Sequence, residues 1–119
     1  MQSFEFLDLS EYLLKGSSGF DEASYRTAAD RAYLASSLLL ANILWERYGI
    51  DIPRSTRFYH VIEERAADLD PHLSENLNVL RRIRNNADYD LEIAFRKSDA
   101  VRAIVFAKIM TTWMKGKYQ

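Results

Sequence analysis

Apolar residues recur along this chain at intervals of three and four, the spacing that gives a helix one buried side. Phe4, Leu7, Glu11 and Leu14 share a side of a first short helix, which Gly16 is placed to stop. From Asp21, a capping residue with Glu22 behind it, a second helix is predicted to run to about Tyr48 and stop at Gly49. Tyr25, Ala28, Ala29, Ala32, Ser36, Leu39, Leu40 and Ile43 form one stripe on it, and Leu34, Leu38, Ala41 and Trp45 form another. A helix apolar on more than one side belongs at the centre of a bundle or against a second subunit.

A third helix is expected from Ser55 or Thr56, with Phe58, Val61, Ile62, Arg65 and Leu69 on one face. A fourth has Asp70 as cap and Pro71 at its first position, where proline's missing N–H costs nothing. Its buried side reads Leu73, Leu77, Leu80, Ile83, Ala87. The last is expected to start at Ser98 with Asp99 behind it, bury Ala103, Phe106, Ala107, Met110, Trp113 and Met114, and stop near Gly116. Period-two alternation does not persist beyond four residues anywhere. The expected fold is all-α: one domain over residues 1–119, an up-and-down bundle of four long helices with a short N-terminal one.

Composition narrows the chemistry. The 119 residues include no cysteine, so disulfides, thiol catalysis and thiolate metal sites are excluded, in keeping with a cytoplasmic location. Met1–Leu9 lacks the basic region and apolar run of a secretory leader, and Ala32–Trp45, broken by Ser36, Ser37 and Asn42, is too short to span a bilayer. No membrane association is expected. Net charge is −1, but it is uneven. Residues 1–50 carry seven acids against four bases, whereas residues 96–119 carry six bases and one acid. The basic end can be a solvated helix face, or a strip that meets phosphates. His60-x-x-Glu63 and His72-x-x-Glu75 reverse the Glu-x-x-His order of helical carboxylate metal sites, so neither a metal nor a cofactor is expected. Most of the aromatic residues, Tyr25, Tyr33, Trp45, Phe58, Phe106 and Trp113, fall on apolar stripes and read as core.

The chemistry concentrates at the end of the fourth helix. Arg84 follows Leu80 by four and Leu77 by seven, which puts it at the edge of the apolar stripe, where a guanidinium needs a partner. Asp88 stands four residues on. Arg84, Asn85, Asn86, Asp88, Tyr89 and Asp90 crowd six hydrogen-bonding side chains into seven positions, and two adjacent asparagines weaken a helix that propensity alone would build differently.

The run Arg82-Ile83-Arg84-Asn85-Asn86-Ala87-Asp88-Tyr89-Asp90 resembles the motif region of the HEPN family (higher eukaryotes and prokaryotes nucleotide-binding domains). It is similar in particular to small prokaryotic members with an Arg-x-x-Ala-Asp-Tyr signature. Tyr25–Ala35 is similar to the family's second-helix pattern of small residues and tyrosines, and His60 falls where related members tend to have a histidine. The resemblance covers about residues 20–114. It implies a helical bundle that dimerises, and a metal-independent RNA endonuclease of the toxin or defence type, in a family often paired with a nucleotidyltransferase. On this resemblance Arg84 and Asn85 are the catalytic candidates, and Arg84, Asn85, Asp88, Tyr89 and His60 the binding candidates. The family's nuclease motif carries a histidine shortly after the arginine. Here Tyr89, Asp90 and Leu91 occupy those places, and both histidines precede Arg84. The alternative implied is a non-catalytic dimeric module that binds nucleotide, RNA or a partner nucleotidyltransferase. Tyr89 can be a target of nucleotide transfer in such a pair, or a plain helix-end residue.

Overall fold

A computed structural model describes residues 7–12, 21–53, 55–89 and 94–119, with backbone alone at positions 21, 88 and 89. Every regular element among them is an α-helix: α1 (residues 7–12), α2 (Asp21–Tyr48), α3 (Phe58–Leu69), α4 (Pro71–Tyr89) and α5 (Lys97–Tyr118). The 28 residues of α2 span about 42 Å at 1.5 Å per residue and account for the 45 Å long axis of the molecule.

Local chemistry sets most of the boundaries. Gly49 ends α2 with φ of 66°, a conformation that costs glycine little, and the N–H groups of Gly49 and Ile50 satisfy the carbonyls of Trp45 and Leu44. Asp70 caps α4 as expected, its Oδ1 accepting from His72 N–H at 2.8 Å with Pro71 first in the helix. Three boundaries differ from the expectation. Ser55 Oγ and its carbonyl accept from Arg57 and Phe58, so they hold a turn ahead of α3, which begins at Phe58. At α5 the cap is Arg96 instead of Ser98, because Asp99 reaches back to accept the Arg96 N–H at 2.9 Å. The helix also runs through Gly116 to Tyr118, since a glycine inside a helix costs only about 1 kcal/mol and neighbouring turns carry it.

Packing then orders the helices. The pairing of α2 with α5 is the most extensive, and fully buried alanines on both (28, 29, 32 and 35; 100, 103 and 107) let the two axes approach closely. Arg47 donates to the Tyr118 carbonyl at 2.7 Å at one end, and Glu22 accepts from Phe95 N–H at 2.9 Å at the other, so α2 and α5 run in the same direction. Arg84 meets Asp30 near the start of α2, which makes α4 antiparallel to both. Simple alternation was expected between α2 and α3, yet α3 points the same way as α2. Its first turns lie against Tyr33, and Asp70, just past its end, meets Lys117 at 3.3 Å. Residues 49–53 and 55–57 therefore lead back along the bundle, with Ile52 buried.

The α4 stripe is buried as expected, with Leu73, Leu77, Leu80, Ile83 and Ala87 all in the core. Both apolar stripes of α2 are largely covered within the one chain. Short α1 contributes here: Leu7 is buried, Ser10 donates to the Ala28 carbonyl at 2.9 Å, and Glu11 pairs with Lys108. Two aromatics expected in the core are not there. Trp45 is 61% exposed on the outer side of α2 although its neighbours Ile43 and Leu44 are buried, and Trp113 lies at the surface of α5. The remaining exposed apolar side chains of α5 are Val101, Val105 and Ile109, spaced by four along one side of the helix.

Candidate functional site

The fourth-helix motif meets α2 and α3 in a polar cluster set into the core. Arg84 donates from Nε to Asp30 Oδ1 at 2.9 Å, and its guanidinium stacks over Tyr59 at 4.8 Å and Tyr33 at 5.5 Å. Its side chain is only 18% exposed. A part-buried guanidinium held between a carboxylate and two ring faces has its charge satisfied within the chain. Beside it, Tyr33 donates to Glu63 Oε1 at 3.3 Å, and Arg81 Nε lies 2.8 Å from the same oxygen. Burial, and then the Glu63 charge, pushes the Tyr33 phenol well above its ordinary value, so it remains a donor throughout the physiological range.

A second arginine holds the end of α4 itself. Arg26 is buried and donates to the carbonyls of Asn86 at 2.9 Å and Ala87 at 2.7 Å. These belong to the last turn, whose carbonyls lack intrahelical partners. Glu22 accepts from Arg26 at 3.0 Å and from Phe95 N–H at 2.9 Å, and the Arg26 guanidinium sits 5.4 Å from the Phe95 ring. The Phe95 N–H bond, and next Arg26, hold the Glu22 carboxyl below the usual range. One α2 turn thus pins both the end of the motif helix and the segment leading into α5.

The sequence-derived candidates separate in space. Arg84 faces inward to Asp30, a partner 54 positions away that local spacing did not supply. Asn85 is half-buried next to it, and Asn86 is exposed. The side chains of Asp88 and Tyr89, and the whole of Asp90, lie outside the described residues. His60 does not turn toward Arg84: it is 58% exposed and its Nε2 lies 2.8 Å from Glu64. Its neighbour Tyr59 is the α3 residue that touches the guanidinium. His72 is 87% exposed at the far end of α4. Asp30 and Arg26 were missed, although a signal existed. Arg26, Asp30, Tyr33, Ser37, Leu40 and Leu44 recur at fours and threes, a third stripe that places a base and an acid in line with core residues.

Among the described residues no group of three or more His, Cys, Asp or Glu side chains is arranged to hold a metal ion. No helix there is long and apolar enough to cross a membrane. Comparison with models of known protein families, with curated proteins and with solved structures gives no match.

Proposed function

We propose that this chain is a HEPN-type module, built from four long helices and a short N-terminal one. On this reading it acts in the cytoplasm, as a homodimer, by binding a phosphate-bearing ligand, nucleotide or RNA, without cleaving it. The observation that carries the reading is the enclosure of Arg84 by Asp30, Tyr33 and Tyr59. Cleavage of RNA without metal needs a base for the 2′-hydroxyl and an acid for the leaving oxygen, each within hydrogen-bond reach of the substrate. Imidazole is the side chain generally suited to that work, and the two histidines of this chain lie on exposed helix turns, neither of them against Arg84. Arginine stabilises charge but does not shuttle protons. In this reading Arg84 is the keystone of the motif helix, and Arg26 fixes the last turn that presents Asn86.

Binding draws support from the charge distribution, since the six bases of residues 96–119 all belong to α5 and its cap. Purified protein incubated with total RNA, with and without EDTA, tests the proposal alongside fluorescence anisotropy on labelled single-stranded RNA and on a labelled nucleotide. Salt-dependent binding without loss of full-length RNA is the expected outcome. Metal-independent cleavage that disappears in His60→Ala would refute the non-catalytic reading and restore a ribonuclease with an altered motif.

A further inference from the structure

A concavity of about 390 Å³ opens where the end of α4 meets the start of α5. Ile83 and Asn86 line it from α4, Phe95 and Arg96 from the connection, and Ser98 and Arg102 from α5. We propose that it is a phosphate-binding site, in which Arg96 and Arg102 grip one phosphoryl group of a nucleotide or an RNA strand and Asn86 and Ser98 add neutral hydrogen bonds. The proposal rests on the phosphate-binding reading above and moves the ligand contact from Arg84 to the opposite flank of the same motif.

Three observations carry it. First, the cations here are exposed. Arg84, Arg26 and Arg81 are each paired with a carboxylate. Arg96 and Arg102 are exposed and have no carboxylate partner among the described residues. Arg102 rests over the Phe106 ring at 5.7 Å, which supports its stem and leaves the guanidinium's edge donors for a ligand. Second, the acid in the wall is already used: Asp99 Oδ2 accepts the Arg96 N–H at 2.9 Å, so it fixes the backbone that carries one arginine. The lining is left with two guanidinium groups against one engaged carboxylate. Third, the frame is rigid before any ligand arrives. Phe95 is buried, its N–H is held by Glu22, and its ring lies against Arg26, which also grips the carbonyl of Asn86. The Asn86 carbonyl is thereby occupied, and Asn86 is an exposed residue of the concavity's lining. Holding both walls in place beforehand lowers the ordering cost of binding. Two forked guanidinium groups suit phosphate oxygens better than any neutral ligand of this size.

The test compares wild type with an Arg96→Gln/Arg102→Gln double variant. Arg82→Gln, at an exposed arginine of α4 outside this concavity, is the control for loss of positive charge. Circular dichroism first establishes that each variant is folded. Inorganic phosphate and AMP are titrated by calorimetry, and labelled single-stranded RNA by anisotropy. The double variant should bind at least about tenfold more weakly, the scale of removing one charge-assisted hydrogen bond, while Arg82→Gln stays within about threefold. With RNA, its log K against log salt slope should shrink by about 0.7 for each phosphate that the variant no longer neutralises. Binding of phosphate and AMP identifies a free nucleotide as the source; binding of RNA alone identifies the strand, and either supports the site. Wild-type binding left unchanged in the double variant overturns this site and spares the broader reading. Absence of binding to all three probes by the wild type overturns both.

Discussion

Replacing Arg84 with alanine distinguishes a structural keystone from a ligand-binding residue. The substitution removes the Nε–H donor from Asp30 at 2.9 Å and strips the cation from the faces of Tyr33 and Tyr59. Breaking a fully buried ion pair costs about 3–5 kcal/mol, and an exposed one about 0–1. The two side chains here are 18% and 26% exposed, which places the pair between the two cases after allowance for solvent screening. Arg31 remains 3.7 Å from the other Asp30 oxygen and keeps that carboxylate from being stranded. Removing the cation from each ring adds about 0.5–1 kcal/mol. Discounted for partial exposure and for Arg31, the ion pair contributes about 1–2 kcal/mol, and with the two rings the expected loss is about 2–4 kcal/mol. With a urea m-value of about 1.5 kcal/mol/M, a loss near the middle of that range moves the unfolding midpoint by about 2 M. Urea unfolding followed by circular dichroism reads this directly. Asp30→Asn should be milder, because the amide still accepts from Nε, and the double variant should lose less than the sum of the singles. A change below about 0.5 kcal/mol, the size of a neutral surface substitution, would refute the reasoning, above all if ligand binding vanished with it.

Leu77→Ala and Leu80→Ala each remove a fully buried side chain from the α4 stripe and should cost about 2–4 kcal/mol; values under about 0.5 by urea unfolding would mean that this face is not in the core. Asp70 sits below the ordinary carboxylate range, chiefly because it accepts the His72 N–H. Its stabilising contribution is therefore full above its unfolded value of about 4 and is lost as pH falls through the lowered native one, so Asp70→Asn should lower the melting temperature at pH 7 and flatten the acid limb of a stability profile. An acid limb identical to wild type would contradict this. The proposed homodimer should depend on the apolar side of α5, because α2 is largely covered within one chain; Ile109, 60% exposed between Val105 and Trp113, is its most prominent aliphatic residue. Light scattering at micromolar concentration should give twice the chain mass for wild type and a monomer for Ile109→Glu, and a monomeric wild type would remove the dimer.

Much of what depends on a few consecutive residues was legible before the structure, although the starts of α3 and α5 were not. The stop at Gly49, the Asp70-Pro71 start of α4 and the five-residue stripe on that helix are all local, since capping bonds and helical periodicity act within about one turn. The motif was equally legible as a place where polar side chains crowd an apolar edge. Tertiary structure alone decided what those side chains do. Arg84 pairs with Asp30, 54 positions away on another helix, a meeting that follows from how α4 packs antiparallel to α2, while the side chain of Asp88 lies outside the described residues. The direction of α3 is likewise invisible to periodicity, which records a buried face and says nothing of which way the next helix runs. Trp45 and Trp113 show the same limit from the other side. Each lies at the edge of a stripe beside buried residues (Leu44, Met114), and only the placement of the neighbouring helices decided that its own side of the helix faces out.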